Sequence, residues 1–204
     1  MKIVVIDTGT ANLHSLGKAI TYLGYSFEIS SDPKAILKAK RIFLPGVGAF
    51  SPVMKVIAKK GIDDAIKQVV HNEFGTILGI CLGMQLLAEK SDEGAFVPGL
   101  NLISGTSRKL NRVGKTKVPH VGFNSIKQTR GNLLLEGIAQ DQDFYFVHSY
   151  ALKPEETTST VAYTENGEVF TSVIDNGKGV FGVQFHPEKS HLAGIKLIRN
   201  FIEA

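Results

Sequence analysis

The 204-residue sequence holds a single cysteine, Cys81, and no tryptophan. One cysteine excludes an internal disulfide, and such sparing use suits a reducing cytoplasm. The N-terminal apolar run of "KIVVID" meets Asp7 at once, which is too short for a signal peptide or a membrane span. No later run is apolar for long enough to cross a bilayer, so the expectation is a soluble, cytoplasmic protein. A strong charge of either sign is missing too. Lys and Arg total 23 against 19 Asp and Glu, a formal net charge of +4. With no recognisable nucleic-acid motif, neither a nucleic-acid nor a membrane partner is expected. One local exception is "RKLNRVGKTK", Arg108 to Lys117, which has five bases and no acid. It reads first as a solvated hairpin, and second as a docking face for an acidic partner or a phosphate. Repeats, low-complexity tracts and a Pro/Ser-rich linker are all absent, so residues 1–204 read as one domain.

What is present is alternation. "KIVVID", "SFEIS", "RIFLPG" and "TILGI" read as buried strands. Between them lie amphipathic stretches: Leu13, Leu16, Ile20 and Leu23 fall at helical spacing, and "DDAIKQVVHNEF" reads as another helix. "SDPKAILKA" reads as a helix with Asp32 as N-cap and Pro33 at its first position. "LGMQLLAEK" continues the pattern after the fourth strand. Strands alternating with helices predict a parallel sheet covered on both faces. After about residue 95 the runs become strand-like, with "ENGE" and "DNGKG" as hairpin signals, before a closing amphipathic helix, "HLAGIKLIRNFIEA". The predicted fold is a three-layer α/β sandwich. Its central sheet is mainly parallel, with antiparallel strands added by the C-terminal half.

Sites in such sheets form at the carboxyl ends of strands. Cys81 sits there, within "GICLG", after one apolar run and before a helical pattern. The spacing is that of a nucleophile elbow with cysteine in place of serine. In that turn the nucleophile's backbone is strained, and side chains at the flanking Gly79 and Gly83 would collide with neighbours. A helix N-terminus also favours a thiolate. The base is sought in "GVQFHPEKS". Alternation places Gln184, His186 and Glu188 on one side of an extended strand, and Pro187 holds His186 in the extended region. His186 then takes the thiol proton, and Glu188 binds its other ring nitrogen. An oxyanion would be met by the backbone N–H of Leu82, and by a second donor from the glycine loop of "FLPGVGAF", Gly46-Val47-Gly48.

Together "PGVGAF", "GICLGMQLL" and "FHPE" resemble a class I, triad-type glutamine amidotransferase domain, which implies a flavodoxin-like form of that sandwich, and the resemblance spans nearly the whole chain. "LPGVGAF", "KVPHVGFN", "YFVHSY" and the opening "DTGTANLHS" are similar to the glutaminase subunits of imidazole glycerol phosphate synthases, in histidine biosynthesis. The resemblance implies that Cys81 attacks the glutamine side-chain amide, with His186 as base and Glu188 behind it. It implies an oxyanion held by Leu82 N–H and by Val47 or Gly48, and ammonia delivered to a partner (β/α)8 cyclase/synthase subunit in a heterodimer. That partner forms imidazole glycerol phosphate and an aminoimidazole carboxamide ribonucleotide. Gly48, Gln85, His148, Ser149 and Tyr150 are expected around bound glutamine. Asn12, Phe123 and Lys189 are expected at the partner interface, and neither cofactor nor metal is implied. Two positions depart from the family pattern: Phe123 replaces a tryptophan in Gly-Trp-Asn, and the first loop reads Thr10-Ala11-Asn12 where a glycine commonly precedes the asparagine. The competing readings are a glutaminase serving another synthase, and a non-catalytic regulatory subunit on the same fold. The complete Cys81–His186–Glu188 set argues against the latter.

Overall fold

The computed structural model describes residues 1–10, 13–94 and 96–204, so Asn12 lies outside the described residues. Strand β1 (Ile3–Ile6) is buried at every position, as a strand covered on both faces must be. Helix α1 (Leu13–Tyr22) turns Leu16, Ala19 and Ile20 inward, and β2 (Glu28–Ser30) forms the sheet edge. The Asp32 carboxylate caps α2 (Pro33–Ile36), accepting from the Lys34 N–H at 2.9 Å. Pro33 fills the first helical position, where no backbone donor is needed. Strand β3 (Arg41–Gly46), helices α3 (Phe50–Lys59) and α4 (Ile62–His71), and strand β4 (Thr76–Cys81) follow.

The helix expected over "LGMQLLAEK" is shorter than its pattern. Helix α5 (Leu82–Leu86) stops after five residues, and β5 (Ala88–Ser91) takes over. The chain continues through β6 (Val97–Pro98), β7 (Ile103–Lys109), β8 (His120–Ser125), β9 (Lys127–Gln128), β10 (Asp143–His148) and β11 (Tyr150–Pro154). It ends with β12 (Thr160–Asn166), β13 (Glu168–Asp175), β14 (Val180–Val183) and α6 (His191–Glu203). The "ENGE" signal is a hairpin joining β12 to β13 with Gly167 at φ +79°, and "DNGKG" joins β13 to β14. The basic segment is not a hairpin, because β7 pairs with β11 and β5 whereas β8 pairs with β10.

The main sheet has the order β2-β1-β3-β4-β14-β13-β12-β9. Its first five strands are parallel and its last three pair antiparallel. Side chains of α1 and α6 pack on one face with Phe144 and Phe146 of β10, while α2, α3 and α4 pack on the other. Three layers result, as the alternation predicts. Each fully buried Ile, Leu or Phe in these faces contributes about 1.5–3 kcal/mol. Among the described residues no helix is long and apolar enough to cross a membrane.

For the site, the decisive fact is strand order. β4 lies between β3 and β14, with Gly46 opposite Cys81 and Val183 opposite Ile80. Three segments far apart in sequence therefore end at one place: the glycine loop, the cysteine, and the chain leading to His186.

Candidate active site

Cys81 closes β4 and opens α5 with φ +55° and ψ −111°. A non-glycine residue held in such a conformation costs about 1–3 kcal/mol, which the packing around it must supply. The flanking glycines show how. A β-carbon on Gly79 would stand 2.6 Å from the Gly83 carbonyl oxygen, and one on Gly83 only 1.7 Å from that of Leu44. Both are glycine because backbone meets backbone there, and the strained dihedral belongs to the cysteine. The thiol is 5% exposed; its sulfur lies 3.8 Å from the Val147 carbonyl oxygen and 3.7 Å from Gln184 Nε2.

The His-Pro-Glu segment reaches the same spot by a different route from the one expected. Strand β14 ends at Val183, and residues Pro187–Lys189 form a single 3₁₀ turn. His186 keeps extended dihedrals, φ −100° and ψ 96°, as a residue before proline should. Glu188 returns to it through the turn rather than by strand alternation, because Pro187 favours the first position of a helical turn. Glu188 Oε1 accepts from His186 Nδ1 at 2.8 Å, with both side chains at most 5% exposed. The main chain fixes the imidazole's base: His186 N–H donates to the Tyr145 carbonyl at 2.8 Å, and Ser190 Oγ donates to the His186 carbonyl at 2.6 Å. Burial acts to lower the His186 pKa. The Cys81 thiol and the Glu188 carboxylate outweigh it and push it up to about 10. Among the described residues Nε2 is buried without a partner in standard hydrogen-bond geometry, and the group it interacts with electrostatically is the Cys81 thiol.

A cleft of about 410 Å³ opens over the sulfur, lined by Val47, Gly48, Cys81, Leu82, Gln85, His148, Ser149 and Tyr150 among others. All expected oxyanion and substrate-binding positions therefore meet around Cys81. Gly48 has φ +97°, with open space where a β-carbon would lie. Gln85 is buried, not solvent-facing. Its Nε2 donates to the Tyr150 carbonyl at 2.7 Å and to Gln184 Oε1 at 3.1 Å. Gln184 thus links Gln85 to the thiol, a role that its place beside His186 in sequence only hints at. Glu93 and Pro119 also line the cleft. Glu93 Oε2 accepts from the Phe50 N–H at 2.7 Å, tying the start of α3 just beyond the glycine loop. Nothing local in "SDEGAF" signals that long-range contact.

Phe123 is 51% exposed, stacked on His191 at 5.3 Å and edge-on to Tyr145 at 5.5 Å. Lys189 Nζ sits 5.7 Å from the centre of the same Tyr145 ring. The two expected interface residues thus share one exposed surface. A second, larger cavity of about 700 Å³ has Arg108, Lys109 and Lys153 in its wall and shares no residue with the Cys81 cleft. Among the described residues no group of three or more His, Cys, Asp and Glu side chains is arranged to hold a metal ion.

The sequence matches the family described as "Glutamine amidotransferase class-I" over residues 4–204. It is 40% identical to imidazole glycerol phosphate synthase subunit HisH of Acinetobacter baylyi, over 99% of this chain and 98% of the relative. It is 44% identical to the HisH subunit of Moorella thermoacetica, over 98% and 94%, and 41% identical to that of Yersinia pestis, over the full length of both. Two solved structures share the fold at low identity. A glutamine amidotransferase crystal structure matches with TM-score 0.76 at 17% identity, over 98% of this chain and 97% of that one. PurLQS from Thermotoga maritima matches with TM-score 0.70 at 16%, over 99% and 97%. The chain belongs to the class-I glutamine amidotransferase family, among the HisH subunits of imidazole glycerol phosphate synthase.

Proposed function

We propose that this chain hydrolyses glutamine to glutamate and ammonia, and delivers the ammonia to a (β/α)8 synthase subunit in histidine biosynthesis. Its relatives' names support the pathway, and the geometry supports a mechanism. The observation that carries the chemistry is the buried His186–Glu188 pair beside a strained cysteine at the floor of one cleft.

In this mechanism the Cys81 sulfur attacks the glutamine side-chain carbonyl carbon as a thiolate, its proton resting on His186. The raised His186 pKa supports that division, and Glu188 stabilises the imidazolium through Nδ1. The carbonyl oxygen gains negative charge and is met by Leu82 N–H and by the backbone amide of Val47 or Gly48. Collapse of the tetrahedral intermediate breaks the C–N bond, and His186 gives its proton to the departing ammonia. A water then loses its proton to neutral His186 and attacks the thioester carbon, releasing glutamate and restoring the thiolate–imidazolium pair. Gln85 and the main chain of His148, Ser149 and Tyr150 hold the substrate, while Phe123 and Lys189 face the partner, with Asn12 assigned there by family resemblance. Residues 1–204 act as one catalytic domain working in the cytoplasm.

The test is glutamine hydrolysis by the purified chain with and without the synthase subunit and its nucleotide substrate. Stimulation by the histidine-pathway partner supports the reading. Hydrolysis that only another synthase stimulates would reassign the partner, and no hydrolysis with any partner would leave a regulatory subunit.

A further inference from the structure

His120 and His148 face each other across the β8–β10 ribbon, each 6% exposed. His120 stacks on Phe146 at 4.9 Å, and Phe170 closes the box edge-on to His120 at 5.7 Å and to His148 at 4.9 Å. In surroundings this apolar each ring nitrogen needs a partner, and all four have one. The Tyr150 carbonyl can only accept, so His148 Nδ1, 2.9 Å away, carries the proton. Burial pushes the His148 pKa down to about 3 against the pull of that carbonyl, with His120 and His186 adding to the lowering, so the ring is neutral. Its Nε2 then accepts from His120 Nδ1–H at 3.1 Å. His120 Nε2 is left as an acceptor, 3.2 Å from Asn124 Nδ2. The Asn124 amide is oriented by two further bonds: Nδ2 donates to the Glu165 carbonyl at 2.9 Å, and Oδ1 accepts from the Ser125 N–H at 2.8 Å. Every proton in the chain from Asn124 to Tyr150 is thereby assigned.

Both ring nitrogens of His148 are consumed, so it has no N–H for a substrate and no lone pair for the Cys81 proton. What it holds is main chain. The Tyr150 carbonyl that takes its proton also accepts from Gln85 Nε2 at 2.7 Å, and Gln85 leads through Gln184 to the sulfur, at 3.1 and 3.7 Å. We propose that His120 is a positioning residue of the glutamine site, fixing the ring of His148 and through it the 148–150 main chain that lines the cleft. This deepens the glutaminase reading and rests on it.

Two substitutions separate the relay from simple packing. His120→Phe keeps the aromatic box and removes the donor, leaving His148 Nε2 buried and unpaired. His120→Asn keeps an N–H near the Nδ1 position. With the synthase partner present, His120→Phe is expected to raise the glutamine KM about tenfold with kcat within about twofold, and His120→Asn to restore most of that loss. Nitrogen-15 NMR of the unsubstituted chain supplies a readout that does not depend on the variants folding. Both histidines should be neutral with the proton on Nδ1, and in His120→Phe the His148 ring should no longer hold one tautomer. A His148 proton on Nε2 in the unsubstituted chain, or a folded His120→Phe with unchanged KM, would overturn the proposal. Absence of any glutamine hydrolysis by the unsubstituted complex would instead sink the glutaminase reading, and the tautomers would then decide the relay alone.

Discussion

A β-carbon on Gly83 would stand 1.7 Å from the carbonyl oxygen of Leu44. The first turn of α5 therefore lies directly against the backbone of β3, and no rotamer change relieves an added methyl. Gly83→Ala is expected to displace the turn that presents Cys81 and to cost about 3 kcal/mol of stability. Denaturant midpoints, read with the rate at which a glutamine-analogue electrophile labels Cys81, check this. A variant as stable and as quickly labelled as the parent would show that the contact is not needed. Gly48 is the contrast, since open space surrounds its missing β-carbon but φ is +97°. Gly48→Ala should cost about 1–2 kcal/mol of local strain and lower turnover through the oxyanion loop.

Glu188 gives His186 its tautomer. Glu188→Gln removes the buried carboxylate and lets the amide present a donor to Nδ1, which turns the ring proton toward the thiol. By analogy with carboxylate-to-amide changes in triads, kcat should fall by roughly 10²–10⁴ with little change in fold. Steady-state kinetics beside a circular dichroism spectrum measures it. A loss under about threefold would remove Glu188 from the mechanism.

His186 makes stability depend on pH with a definite sign. A pKa raised from 6.5 to about 10 means that the native state holds the imidazole proton more tightly than the unfolded chain does. Its contribution is full below pH 6.5, declines as pH rises, and is gone above about pH 10. The stability advantage of the parent over His186→Asn should therefore shrink from neutral pH to pH 10, as urea titrations would read. An advantage that grew with pH would contradict the thiolate–imidazolium pair.

Much of this was legible in the sequence because it is local. Cys81 between two glycines, Asp32 before Pro33, and the two Asn-Gly turns each carry their geometry within a few residues. Long-range pairing was not. Ala88–Ser91 continues a helical pattern, yet it is drawn into a strand by parallel pairing with β7. Helix α3 has no clear signature in the sequence, because Pro52 falls within its first turn and the glycine loop precedes it. Strand alternation puts Glu188 on the side of His186, whereas the contact between them is made through a turn. Gln184 reaches the sulfur because β14 pairs with β4, and Glu93, in the loop after a strand of another sheet, reaches the glycine loop by its bond to the Phe50 N–H. No pattern of neighbouring residues encodes that.

The Phe123 surface makes a separable prediction. Its ring is half exposed, packed on His191 and Tyr145, and is not among the residues lining the Cys81 cleft. Phe123→Ala should weaken binding to the synthase subunit about tenfold or more, as loss of an aromatic anchor does, and leave the thermal midpoint within a few degrees. Calorimetric titration of the two subunits measures it. Unchanged affinity would move the interface elsewhere on the chain.

Everything in the mechanism depends on Cys81 as the nucleophile. The most direct test of that role is Cys81→Ala in complex with the synthase subunit, assayed once with glutamine and once with free ammonium as nitrogen donor. Glutamine-dependent turnover should be lost and ammonium-dependent turnover retained. Glutamine-dependent turnover at the parent rate would contradict that role.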